Sequence, residues 1–425
     1  MRGTGRRGAL LALMGALLAC TSPGDSPLHE ASGREAWIPA PQTPFSDYVL
    51  ENESRIRDVL STYHYVDQEN PFGSGYPLER VVAMRAPYEM RNPATACPES
   101  AAGGNRHGFL LIHGLTDSPY LLRGVAASLL EEFPCALIRG LLLPGHGTLP
   151  GDTLAMRHAD WLRVTQYGVD SFRGEVDALY LVGFSTGTSL SVRYADEHRD
   201  DELLKGLIML SPALAARSDS AWLSPYARWF SAWLGRESEH DAARYESFSM
   251  NAGAEFYLLT RGLTDPDFEP LQVPVFMAGS GDDTTVNMEA AREFFCSKAP
   301  VDSRQMLWYR AEASDSAPAT TCTGLQVVAA EAPAQRVVSL SHTSISVPPE
   351  DLHYGLDGAY AICLQYGDGS PDFQTCRNDP TQTVYGERNL GSEGRYEGKL
   401  IRRGSFNPHY AAMLDAVGCF IRDDC

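Results

Sequence analysis

The stretch 178–187, ALYLVGFSTG, constrains this chain more than any other. An apolar run of strand length enters a turn in which Gly183 and Gly187 flank Ser185, and a helix-length segment follows to about His198. A run with no polar alternation suits a strand buried on both faces. The unit recurs: apolar runs at 108–112, 135–143, 206–210, 273–278 and 337–340 are separated by Gly-rich turns and segments long enough for helices. Strands alternating with helices predict a doubly wound α/β fold, a mostly parallel sheet whose site lies at the carboxyl ends of its strands. Residues 213–270, between the fourth and fifth runs, are an insertion crowded with Trp222, Trp229, Phe230, Trp233, Tyr245, Phe248, Phe256 and Tyr257. Ahead of the first run, 46–60 has helical spacing with Ser46 as a candidate cap, and 80–91 reads as an early strand broken by Pro87. Past residue 356 the alternation stops, which predicts a Cys-containing C-terminal extension, 356–425, packed on the main body.

Ser185 carries the chemistry. A serine hydroxyl is a poor nucleophile and must project toward both substrate and base; a sharp strand-to-helix turn with small residues two before and two after does this. The N–H of Thr186, opening the helix, is placed to stabilise an oxyanion. His113-Gly114-Leu115 ends an earlier strand, and the N–H of Leu115 is the expected second donor. His113 then shapes that loop and is not the base. In such a fold the acid follows a later strand and the base comes last. Gly279-Ser280-Gly281-Asp282-Asp283-Thr284-Thr285-Val286 offers two acids; Val286, three residues on, is the hydrophobic position that usually follows such an acid in similar sequences and favours Asp283, whereas Gly279 three before favours Asp282. Asp283 is preferred. His342, directly after the run 337–340, is the expected base, and His353, in a Pro-rich loop, is its rival. His146 precedes Ser185, in the wrong order for the base.

Together LLIHGLTDSP (110–119), LLPGHGTLPG (142–151), LVGFSTG (181–187), GSGDDTTV (279–286) and SLSHTS (339–344) resemble the α/β-hydrolase superfamily, most closely its serine carboxylesterase-like and monoacylglycerol-lipase-like members. The resemblance covers about residues 86–355. It implies an esterase with catalytic Ser185, Asp283 and His342, an oxyanion hole at Leu115 and Thr186, and no metal or organic cofactor. It also implies that residues 213–270 cap a pocket for a small-molecule or lipid ester. A thioesterase, amidase or acyltransferase on the same triad, and a surface-binding protein that keeps the fold without catalysis, are the alternatives. Thr186 stands where Met or Gln is common, and 311–323 is an inserted polar stretch.

The N-terminus reads as an address. Residues 1–19 pair Arg2, Arg6 and Arg7 with an apolar stretch of eleven residues, too short to span a membrane. Leu17-Leu18-Ala19-Cys20 resembles a bacterial lipobox, implying a signal peptide at 1–19 and a lipid anchor on Cys20. The protein is then exported and membrane-anchored in the cell envelope, at the outer membrane if the cell has two. Residues 20–45, rich in Pro, Ser and Gly, would be the lipidated tether, and 46–355 the catalytic domain. Eight further Cys suggest disulfides, with neighbours pairing as 97–135, 296–322, 363–376 and 419–425. A net charge of −19 argues against a nucleic-acid partner.

Overall fold

The computed structural model describes residues 26–424 except 67, 69, 94–96, 98–105, 313–317, 319 and 388–395. Helices α1 (Phe45–Tyr63) and α2 (Leu78–Arg85) precede the edge strand β1 (Tyr88–Met90). The alternating core follows: β2 (His107–Ile112), α3 (Arg123–Glu132), β3 (Leu137–Leu141), α4 (His158–Asp170), β4 (Ala178–Phe184), α5 (Thr186–Glu197) and β5 (Leu204–Leu210). The insertion holds α6 (Ser224–Ala227), the short pair β6 (Trp233–Gly235) and β7 (Phe248–Ser249), and α7 (Met250–Thr260). The core resumes with β8 (Val275–Ser280), α8 (Met288–Lys298), β9 (Arg304–Arg310) and β10 (Leu325–Ala329). Beyond it come α9 (Pro371–Asn378), the pair β11 (Thr383–Tyr385) and β12 (Leu400–Arg402), and α10 (Tyr410–Arg422).

Side chains alternate across the strands, so the central strands supply two cores at once. Phe109 and Leu111 of β2 join one apolar cluster with Val182, Ile208 and Phe276, lined by α1, α2, α3 and α10. Leu110 and Ile112 join the other with Leu181, Met209 and Met277, beneath α4, α5, α7 and α8. The sheet order is β1-β3-β2-β4-β5-β8-β9-β10. Only β1 runs antiparallel, pairing Tyr88 with Gly140. This is the doubly wound, mostly parallel sheet expected from the run pattern, and the fold that the resemblance implied.

Some expectations need correction. Residues 78–85 are a helix, not a strand: Val81, Val82 and Met84 bury one face, and the chain turns extended at Ala86, ahead of Pro87. α1 starts one residue before Ser46, with Pro44 in the capping position. The run 337–340 is not a sheet strand. Val337 bridges Ala332 and Tyr385, and Val338 packs with Val384 and Ile401, so this run is apolar because the C-terminal segment covers it. The last two sheet places belong to β9 and β10, whose polar or half-exposed residues hide them in the sequence. Nor do residues 26–44 hang free as a tether: His29 is buried on Ser247, its Nε2 3.0 Å from the Oγ, and Trp37 stacks on Tyr48.

Disulfides join Cys97 to Cys135, Cys296 to Cys322 and Cys363 to Cys376. The expected Cys419–Cys425 pair, like Cys20 and residues 1–19, involves positions outside the described residues. From the C-terminal segment, α10 lays Met413, Val417 and Ile421 into the core beside Val125 and Leu129 of α3. Among the described residues no helix is long and apolar enough to cross a membrane.

Candidate active site

Ser185 sits between β4 and α5 with φ +51° and ψ −118°, a conformation costly for a residue with a Cβ. Its neighbours enforce the turn. A Cβ on Gly187 would lie 2.0 Å from the carbonyl oxygen of Ile112, and one on Gly183 would meet the backbone of Gly187 and Thr188 at 2.6 Å. Only glycine lets the helix start this close to β2. The Ser185 N–H bonds to Leu210 O on β5, which anchors the strained residue to the sheet.

The loop after β2 is pinned by two histidines. His113 Nδ1 donates to Gly114 O at 2.7 Å, and its Nε2 accepts from Leu143 N at 3.0 Å. His146 Nε2 accepts from Thr116 N at 3.1 Å, one residue past Leu115. Burial holds both imidazoles neutral: His113 falls well below the ordinary range and His146 to about 4. Thr116 takes a positive φ of 62° at the bend. Leu115, Ser185 and Thr186 line one cavity.

His342 and Asp283 meet at that cavity's edge. His342 Nδ1 lies 2.6 Å from Asp283 Oδ2, and Asp283 Oδ1 accepts from the N–H groups of Thr285 (2.7 Å) and Val286 (3.3 Å). Burial alone would push the Asp283 carboxyl up, but His342 and these hydrogen bonds outweigh it and hold it below the usual carboxylate range. A carboxylate on Nδ1 requires the proton there, which leaves Nε2 free as a base. The rival residues are occupied elsewhere. Asp282 Oδ2 accepts from Ala311 N at 2.8 Å. His353 is fully buried with Nε2 2.8 Å from Asp241 Oδ1, and it does not line the cavity.

Several site residues carry no recognisable sequence signal. Ser211 donates to His342 O at 2.6 Å, and Arg217 donates to Asp283 O at 2.5 Å, each steadying one partner of the pair through its backbone. Asp117 and Arg244 also line the cavity; burial pushes the Asp117 carboxyl up to about 7, partly offset by Arg244. These residues are ordinary by type and spacing, and only the fold assembles them.

The cavity measures about 1060 Å³. The insertion supplies one wall through Leu223, Ala227, Leu234, Phe248, Met250 and Phe256. Of the aromatics named in the insertion, Phe248 and Phe256 line the cavity. Trp229 (79%) and Phe230 (92%), just past α6, are exposed to solvent. The C-terminal segment supplies another wall through Ile362, Leu364, Gln365 and Arg403. Among the described residues, no group of three or more His, Cys, Asp or Glu is arranged to hold a metal ion.

A thermostable monoacylglycerol lipase from Bacillus sp. (strain H-257) is 28% identical over 115 residues, which cover 26% of this chain and 44% of that one. The chain thus matches less than half the length of that curated relative. Among solved structures, a monoglyceride lipase from Saccharomyces cerevisiae aligns at 13% identity with a TM-score of 0.41, over 53% of this chain and 82% of that one. A monoacylglycerol lipase from Paleococcus ferrophilus aligns at 18% identity with a TM-score of 0.40, over 53% and 88%. The model of the alpha/beta hydrolase family matches residues 109–350, more than half of the chain, and the protein belongs to that family.

Proposed function

We propose that the protein is a serine hydrolase that cleaves carboxylic esters through an acyl-enzyme. One observation carries the reading: His342, paired with the buried Asp283, lines the cavity that also holds Ser185 in its strained turn. In the proposed reaction Ser185 Oγ attacks the ester carbonyl carbon while its proton passes to His342 Nε2. The carbonyl electrons move onto oxygen, where the N–H groups of Leu115 and Thr186 receive them. Collapse expels the alkoxide, which takes the proton from His342, and the acyl group remains on Ser185. Water deprotonated by His342 then attacks that ester and releases the acid. Asp283 stabilises the imidazolium without taking its proton.

The mainly apolar cavity and the lipase relative support an ester with a lipid-like acyl chain. The test is turnover of a chain-length series of p-nitrophenyl esters by the wild-type protein and by Ser185→Ala. Turnover lost in the variant supports the reading, and the preferred chain length sizes the pocket. Equal rates in the two proteins would sink it. Thiol esters, amides and added alcohols as competing acceptors separate an esterase from the other acyl-transfer activities.

We also propose export with a lipid anchor on Cys20, supported by the basic, apolar and Leu-Leu-Ala-Cys pattern of residues 1–20. Wild-type protein should sediment with membranes and Cys20→Ala should not. Equal partitioning of the two would remove the anchor.

A further inference from the structure

The chain beyond the family match reaches back onto the turn that carries Asp283. Glu387 and Arg403 both lie after residue 350, where the match ends. The Glu387 side chain is buried, and its Oε1 accepts from Arg403 Nε at 2.5 Å and from Thr284 Oγ1 at 2.9 Å. Its Oε2 accepts from Thr284 N at 3.4 Å. Arg403 Nη2 donates to Thr285 Oγ1 at 2.7 Å and to Thr284 Oγ1 at 3.2 Å. The turn 283–286 is thus held from inside by the Asp283 carboxylate and from outside by this pair.

The loop of His342 is gripped by the same segment. Gly404 N donates to Ser341 Oγ at 2.8 Å, and Glu387 N donates to Ser339 Oγ at 2.8 Å. A Cβ on Gly404 would stand 2.5 Å from the Thr343 hydroxyl, so Gly404 lies close against the loop that carries His342. An ion pair that merely fastened the segment down could sit anywhere along its long contact with the core. A buried pair also contributes little net stability, because desolvation offsets the attraction. Here its side-chain contacts converge on the acid's turn.

We propose that Glu387 and Arg403 are positioning residues, holding the 283–286 turn so that Asp283 keeps His342 oriented with Nε2 free. The inference rests on the triad reading above. Neither residue touches the reacting atoms; both act through Thr284 and Thr285.

The test compares full-length wild type with Glu387→Gln, Arg403→Met and the double variant, on the p-nitrophenyl ester that wild type turns over best. Each single variant should lose kcat by about 10- to 100-fold, as expected for a sub-ångström to ångström displacement of a catalytic group. KM should stay within about threefold in Glu387→Gln, whose side chain does not line the cavity. The double variant should be no slower than the worse single, because the pair acts as a unit. The acid limb of kcat/KM should move to lower pH. Asp283 is the carboxylate bonded to His342 Nδ1, and once displaced it stabilises the imidazolium less. Variants with kcat within about threefold of wild type would overturn the proposal. So would losses that track a fall in Tm with the pH limb unmoved. Should the charge variants not fold, Thr284→Val and Thr285→Val remove the same contacts from the other side; unchanged kcat in these overturns the proposal. Fluorophosphonate labelling separates the two levels. If wild type is labelled no faster than Ser185→Ala, the triad reading has failed and this inference with it.

Discussion

Asp283 and His342 are 59 residues apart in the chain, and the fold sets a carboxylate oxygen of one 2.6 Å from Nδ1 of the other. Asp283→Asn would offer that nitrogen an amide and favour the wrong tautomer. Ester turnover should fall by about 10⁴-fold, the scale of such a change in other triads. Asp282→Asn should leave kcat within about fivefold, since its carboxylate serves Ala311 N and an amide oxygen can accept the same bond. Steady-state kinetics of the two variants decides between the acids; the reverse ranking would assign the role to Asp282.

Gly187→Ala should yield little folded protein. The added methyl would meet Ile112 O at 2.0 Å, and both groups are backbone-anchored in the sheet and the first turn of α5. Soluble expression and circular dichroism check this. A folded, active variant would show that the start of α5 has more freedom than its contacts allow.

Asp117 predicts a pH-dependent stability difference. Its folded pKa is raised to about 7 by burial, against about 4 when unfolded. Between those values the folded state holds a proton that the unfolded state lacks, so this residue's contribution is lost as pH rises. His64 (about 3) and His146 (about 4) act in the opposite sense, because burial keeps them neutral while their unfolded forms protonate below about 6.5. Their effect cancels when wild type is compared with Asp117→Asn. Denaturation midpoints from pH 4 to 7 should show the variant gaining on wild type, by at most about 1.4 kcal/mol per pH unit. A constant difference across that range would refute the assignment.

The Cys296–Cys322 disulfide closes a span of 26 residues between α8 and the approach to β10. Replacing both Cys with Ser should lower stability by about 2–4 kcal/mol, mainly by freeing the unfolded chain. Labelling of Ser185 at 25 °C should persist, because neither Cys lines the cavity. Calorimetry beside fluorophosphonate labelling reads both effects.

The buried strands and the Ser185 turn were legible because full burial on both faces leaves an unbroken apolar run. The elements misread were those whose surroundings changed that rule. β9 begins and ends with Arg at the sheet's less covered side, so its polar flanks hid it. The run 337–340 is apolar without being a sheet strand, because β11 and its neighbours bury it. Helix α2 is eight residues long, too short for its periodicity to be told from a strand.

Local sequence by itself determined the alternation of strand and helix, the glycine-flanked turn at Ser185 and the candidate pairing of an acid near 283 with His342. Each depends on backbone geometry or burial that neighbouring residues dictate. Tertiary structure set Asp283, the acid the sequence preferred, against His342, and it alone gave His353 to Asp241. It also decided that Glu387 and Arg403 close over the acid's turn. Those are contacts between distant segments. Their partners are chosen by where the sheet and the C-terminal segment bring the backbones together, which no local pattern of residue types encodes.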